Sequence, residues 1–233
     1  MVGNTPVYTL CPRCCIVAEE RERLKEETTR RLQVRRRLDN SGIPYRFIGE
    51  TVDSFAPARV SPAGMIMNAD AAKKTAERYV ERFHELMLSG GSLIFCGKPG
   101  TGKTHLACGI AQAVIHKGYT AKYTTAYAAI GSIKATWGNE STDTHKQVVM
   151  RYVEADLLIM DEIGVQFGTD AEKILIYEII SGRYDRRLPT ILISNFDRKE
   201  LVDFIGERCV DRVEEGGGIV LAFNWDSMRP KKR

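Results

Sequence analysis

The chain has no run of eighteen apolar residues, so no helical membrane span is expected. Its N-terminus lacks a basic segment followed by an apolar one, which argues against secretion. Internal repeats and low-complexity tracts are missing too, so a repeat array is not expected. The six cysteines, at 11, 14, 15, 96, 108 and 209, do not have the spacing of a disulfide scaffold. Three fall in expected core elements and three cluster near the start, a usage that suits a reducing cytoplasm. Neither sign of charge dominates. The 34 Lys and Arg against 30 Asp and Glu leave +4, a mild balance that permits nucleic acid without requiring it. What is present is a chain of 233 residues, 43% hydrophobic, enough for one large domain or one domain with an arm.

Eight residues stand out. Gly97-Lys98-Pro99-Gly100-Thr101-Gly102-Lys103-Thr104 matches G-x-x-x-x-G-K-[ST], the phosphate-binding P-loop. The apolar run Ser92–Cys96 before it reads as a buried strand. From Lys103 the chain reads as a helix, with Leu106, Ala107, Ile110, Ala113 and Val114 on one face and Gly118 as its stop. Glycines let backbone N–H groups close around phosphate oxygens, and the helix directs its positive end at the same anion. Lys103 is expected to reach the β- and γ-phosphates of ATP, and Thr104 to hold Mg²⁺ through its hydroxyl.

The rest divides into an arm over 1–40, a connector over 41–68 and a main domain over 69–233. Glu19–Leu38 reads as a helix with its acids early and its arginines late, which complements the helix dipole. It lacks a good apolar stripe, so it is either a solvated spacer or a surface completed by a partner. Residues 42–68 read as irregular, with Pro44, Pro57 and Pro62. Residues 69–88 read as one amphipathic helix ended by Gly90-Gly91. Beyond the P-loop helix, strands are expected at 120–125, 156–160, 190–194 and 219–223. Helices are expected at 126–135, 145–154, 170–184, 198–204 and 207–214. This alternation predicts a parallel sheet covered on both faces, an α/β sandwich.

Two strand ends carry chemistry. Asp156–Met160 runs into Asp161-Glu162, which follows Thr104 by 57 residues. In a P-loop protein such an Asp serves Mg²⁺, and the adjacent Glu can polarise an attacking water. The strand at 190–194 ends in Asn195 at the same sheet edge, where ligands of open α/β sheets sit. Asn195 either orients the water or γ-phosphate, or caps the next helix together with Asp197.

Together the P-loop, Asp161-Glu162-Ile163-Gly164-Val165-Gln166 and Ser194-Asn195 resemble the AAA+ ATPases of the DnaC/IstB group. Gly206-Glu207-Arg208, Asp211-Arg212 and Phe223-Asn224-Trp225-Asp226-Ser227-Met228-Arg229 are similar to the C-terminal pattern of DnaC-type helicase loaders. The resemblance covers roughly residues 40–229. It implies the AAA+ sandwich with no separate lid domain, a helical N-terminal arm, and ATP hydrolysis with Glu162 as base. It implies Arg208 as an arginine finger acting on a neighbouring subunit, with Arg212 one turn away and Arg229 in a sensor role. The alternative for all three is surface salt bridging with Glu207, Asp211, Glu214 or Glu215. The partners implied are the replicative helicase, docked on the arm, single-stranded DNA, and further copies of the chain in an ATP-bound oligomer. Such loaders are cytoplasmic, and a phage or prophage type is expected. A transposition helper of the IstB kind, acting with a transposase, is the alternative.

Two expectations concern smaller features. The segment 126–144 offers Lys134 and Trp137 to DNA, Trp137 stacking on a base or else packing on its own helix. Some related arms bind zinc through paired Cys-x-x-Cys motifs, and this one has only Cys11-x-x-Cys14 with Cys15. The second pair of ligands is missing, which leaves a zinc site on Cys11 and Cys14 or free thiols as alternatives.

Overall fold

The computed structural model describes residues 12–56, 63–138, 141–165 and 168–229, without the side chains of 12–15 and 63–67. The chain divides into two compact units, 1–36 and 37–233. In the first unit lies most of helix α1 (Pro12–Asn40), which starts a full seven residues before the acidic run that marked it. Proline is well suited to a first helical turn, where its missing N–H is not needed. Ile16, Val17, Leu24 and Leu32 of α1 are exposed, and its ion pairs, such as Arg31 to Glu27 at 2.6 Å, are solvent-facing and weak.

In the second unit, α2 (Ala63–Glu81) and α3 (Phe83–Ser89) replace the single helix expected at 69–88. The break falls at Arg82, with φ −93° and ψ 12°. The five strands are β1 (Leu93–Gly97), β2 (Ala121–Thr125), β3 (Leu157–Ile163), β4 (Thr190–Ser194) and β5 (Ile219–Phe223). They pair in the order β2-β3-β4-β1-β5, every pair parallel. Between them run α4 (Lys103–His116), α5 (Ala126–Lys134), α6 (His145–Val153), α7 (Asp170–Tyr184), α8 (Arg198–Ile205) and α9 (Glu207–Glu215). Alternate strand residues Ile94, Cys96, Leu158, Met160 and Leu192 pack into one core with α5 to α9. Their neighbours, such as Leu93, Phe95, Ile159 and Ile191, are buried on the other face, which α4 covers. No helix among the described residues is long and apolar enough to cross a membrane.

Residues 41–56, expected as part of an irregular connector, belong to the second unit as a strap built onto α4. Ser41, Ile43, Val52 and Phe55 are buried. The side-chain amide of Gln112 accepts the Gly49 N–H at 2.8 Å and donates to the carbonyls of Phe47 and Glu50 at 2.9 and 2.7 Å. A methyl at Gly109 would lie 2.8 Å from the backbone of Thr51, so the strap's close approach depends on that glycine.

The sheet's other end is held by Arg183, which is completely buried. Its guanidinium donates to the carbonyls of Tyr152, Val153, Ala155 and Pro189 and to Thr190 Oγ1. Burial pulls its pKa down to about 9. Arg183→Met would leave several buried carbonyls without a donor, at a cost of about 3 kcal/mol. For a domain this size that lowers the unfolding midpoint by roughly 6–12 °C, readable by thermal denaturation.

Candidate nucleotide site

The P-loop, the ends of β3 and β4 and the strap enclose one cavity of about 400 Å³. Lys103, Thr104, Asp161, Glu162, Asn195 and Arg229 all line it, as do Pro99, Gly100 and Gly102. The helix α4 starts at Lys103 from Gly102, whose φ is +92°. A Cβ on Gly102 would lie 2.6 Å from the Phe55 ring, and one on Gly100 2.2 Å from Ser227 Oγ. These glycines therefore serve protein packing as well as ligand approach.

Lys103 is almost wholly buried, and its Nζ donates to the carbonyls of Gly97 and Lys98 at 2.6 and 2.7 Å. Burial pulls its pKa down to about 8, partly offset by the Asp161 carboxylate. Thr101 is buried and donates to Lys98 O at 2.8 Å, which fixes the loop's curvature.

Asp161 is the hub. Its Oδ2 accepts from Thr104 Oγ1 at 2.7 Å and from the Tyr123 hydroxyl at 2.9 Å, and its Oδ1 accepts the Glu162 N–H at 2.6 Å. The strand was expected to stop at Met160, yet pairing continues to Ile163. Met160 pairs with Leu192 and Ile163 with Ser194, so β3 carries one extra residue at this point. That bulge turns Asp161 inward, where it is buried, and leaves Glu162 exposed in the cavity. Glu162 adopts φ 57°, a conformation costing about 1–3 kcal/mol in a non-glycine residue and concentrated at functional sites. Gly164 then passes tightly beneath Phe196, and Ser194 Oγ donates to Ile163 O at 2.7 Å. The ends of β3 and β4 are thus locked together. Asn195 is exposed at the cavity wall, while Asp197 caps α8 through Glu200 N.

The C-terminal pattern closes the P-loop from behind. Trp225 is wholly buried and its Nε1 donates to Thr101 O at 3.0 Å. Met228 N donates to Gly100 O at 2.8 Å, and Lys98 N to Phe223 O at 3.1 Å. Arg229 thereby reaches the cavity. Sequence reasoning missed Arg46, Phe47, Phe55 and His105 in this wall. The signal for the strap was the set of apolar residues in the connector, Ile43, Phe47, Val52 and Phe55.

Other candidates lie elsewhere. Arg208 is exposed on α9 and does not line the cavity. Arg212 also does not, because it stacks over Tyr177 and Tyr184, 4.7 and 5.2 Å from their ring centres, and donates to Ser181 Oγ. It anchors α9 to α7. Lys134 Nζ is held by the buried Glu172 at 2.9 Å, so its charge is neutralised within the fold. Trp137 is 59% exposed, in a single 3₁₀ turn after α5. Cys11 lies outside the described residues, and Cys14 is in α1 without a described side chain. Among the described residues, no cluster of His, Cys, Asp and Glu suits a metal such as zinc.

The donor set fits a nucleotide triphosphate with Mg²⁺. Arg46, Lys103 and Arg229 bring positive charge, the loop brings backbone N–H groups, and Thr104 and Asp161 offer adjacent hard oxygens. The model of the IstB-like ATP binding protein family matches residues 72–233. The replicative helicase loader DnaC of Escherichia coli K12 is 34% identical over 206 residues, 88% of this chain and 80% of that protein. A crystal structure of the DnaC helicase loader superposes with a TM-score of 0.65 at 23% identity, covering 77% of this chain and 99% of that one. The replication initiator DnaA, bound to AMPPCP and single-stranded DNA, gives 0.62 at 22% identity over 81% and 53%. On these matches and this cavity, the chain belongs to the IstB/DnaC family of ATP-binding AAA+ proteins.

Proposed function

We propose that this chain is an ATP-hydrolysing loader of a replicative helicase, acting with single-stranded DNA when replication starts. The observation that carries the reading is the match to a DnaC loader across 88% of the chain. The cavity supplies the chemistry. Backbone N–H groups of the P-loop and Lys103 bind and orient the phosphates. Thr104 and Asp161 would hold Mg²⁺, which neutralises charge on the transferred phosphoryl group when bound. Glu162 takes the proton of the attacking water, and Asn195 orients that water at the cavity wall. Arg208 serves a neighbouring subunit's nucleotide, so hydrolysis requires self-association. Trp137 offers a stacking face to a base, while Lys134 is occupied in joining α5 to Glu172.

The helicase docks on the arm, because α1 exposes Leu24 and Leu32 on a helix with no apolar stripe to bury against its own fold. The decisive experiment mixes the protein with the cognate replicative helicase, with a transposase as the parallel arm. A stable helicase complex is expected, and none with or without ATP would sink the loader reading. Capture of the transposase alone would favour the transposition helper instead. Removing residues 1–36 is expected to reduce helicase capture to background and to spare nucleotide binding, since 37–233 is a compact unit of its own. Undiminished capture would move docking off the arm.

A further inference from the structure

Tyr123 lies on β2, an edge strand of the sheet. Its backbone is engaged on the outer side. The Tyr123 N–H donates to Ser41 O at 2.7 Å, and the neighbouring Lys122 Nζ donates to Asn40 O at 3.3 Å. The end of α1 therefore turns onto the strand edge. Ser41 is wholly buried, donating through Oγ to Leu38 O at 2.6 Å and accepting the Ile43 N–H at 3.2 Å. Gly42 has φ +74°, and a Cβ there would fall 2.7 Å from Tyr123 O. Only glycine allows this approach.

The side chain of the same residue faces the nucleotide site. Its hydroxyl donates to Asp161 Oδ2 at 2.9 Å, the oxygen that also accepts from Thr104. Burial and the adjacent Asp161 carboxylate push the phenol well above its usual range, so it remains a donor. Asp161 thus has one oxygen fixed by Glu162 N–H and the other shared between a P-loop hydroxyl and an edge-strand phenol.

We propose that Tyr123 is a positioning residue that sets the Asp161 carboxylate for Mg²⁺ and ties that setting to the seating of residues 41–43 on β2. The inference rests on the Mg²⁺–ATP reading of the cavity. Carboxylates that hold a metal depend on the hydrogen bonds behind them, and losing one typically weakens the metal by 10–100-fold. The link to 41–43 is short: one residue supplies both the backbone that seats Ser41 and the hydroxyl that holds Asp161.

The test is binding, read by a fluorescent non-hydrolysable ATP analogue titrated with Mg²⁺. Tyr123→Phe removes one oxygen and keeps the ring. It is expected to weaken Mg²⁺ about 10-fold at saturating analogue, with unchanged metal-free analogue affinity and unfolding midpoint. Gly42→Ala, which presses on the Tyr123 carbonyl where 41–43 seat and leaves the hydroxyl in place, is expected to weaken Mg²⁺ in the same direction with metal-free analogue affinity kept. A Tyr123→Phe titration that superimposes on the parent's would overturn the positioning role. An equal loss of metal-free affinity would overturn it too, by showing general damage to the site. Normal Mg²⁺ binding in Gly42→Ala would overturn the tie to 41–43. A parent protein whose analogue affinity ignores Mg²⁺ would instead sink the nucleotide reading, and Tyr123's role with it.

Discussion

Glu162→Gln is expected to bind ATP as the parent chain does and to hydrolyse it about 10²–10⁴-fold more slowly, the usual worth of a positioned general base. The amide keeps the side chain's size and its place in the cavity, so the bulged backbone at φ 57° has no new contact to accommodate. Phosphate recognition rests on Lys103 and the loop, neither of which touches Glu162 in any hydrogen bond described above. What the substitution removes is a carboxylate that can accept a proton. The neighbouring Asp161 cannot replace it, because both its oxygens are already engaged and it faces Thr104. Phosphate release under single-turnover conditions, beside analogue binding, separates the two effects. Undiminished hydrolysis would remove Glu162 as the base.

Much of this site was readable from local pattern. The runs at 190–194 and 219–223 became β4 and β5 with the same bounds, and the helix expected at 170–184 became α7. β4 is buried along its whole length, and such strands announce themselves by continuous apolar residues, whereas β5 is an edge strand buried only at Phe223. The rest depended on contacts between distant residues. No strand propensity extends β3 through two acids; pairing with Thr125 and Ser194 does that. Nothing in the local pattern marks Arg183, because its acceptors come from the α6–β3 turn and the start of β4. Lys134 looked free for DNA because Glu172 lies 38 residues further on. The strap over the cavity was hidden for the same reason, since Gln112, 63 residues beyond Gly49, organises it together with Gly109.

Arg208→Ala is expected to slow hydrolysis by roughly 10³–10⁵-fold, the range for an arginine that stabilises phosphoryl-transfer charge, with nucleotide affinity kept. Salt bridging on its own surface is the competing role, and the structure thins out the partners for it. Glu214 is taken by Arg198 through two hydrogen bonds of 2.9 and 2.8 Å, and Glu215 accepts from the Tyr184 hydroxyl at 2.8 Å. Arg208 forms no ion pair among the described residues. Cys209, Val210 and Val213 bury one side of α9, and Arg212 clamps it to Tyr177 and Tyr184, so the helix presents Arg208 outward on a fixed base. A side chain held outward, away from its own cavity, acts on a nucleotide only across a subunit boundary. Mixing decides the point. Neither Glu162→Gln nor Arg208→Ala is expected to hydrolyse ATP alone at a useful rate. In a mixed oligomer, a Glu162→Gln subunit can lend its intact Arg208 to a neighbour whose Glu162 is intact. Hydrolysis by the equimolar mixture should therefore rise well above the sum of the two. A strictly additive rate would place Arg208 outside the reaction or within its own subunit.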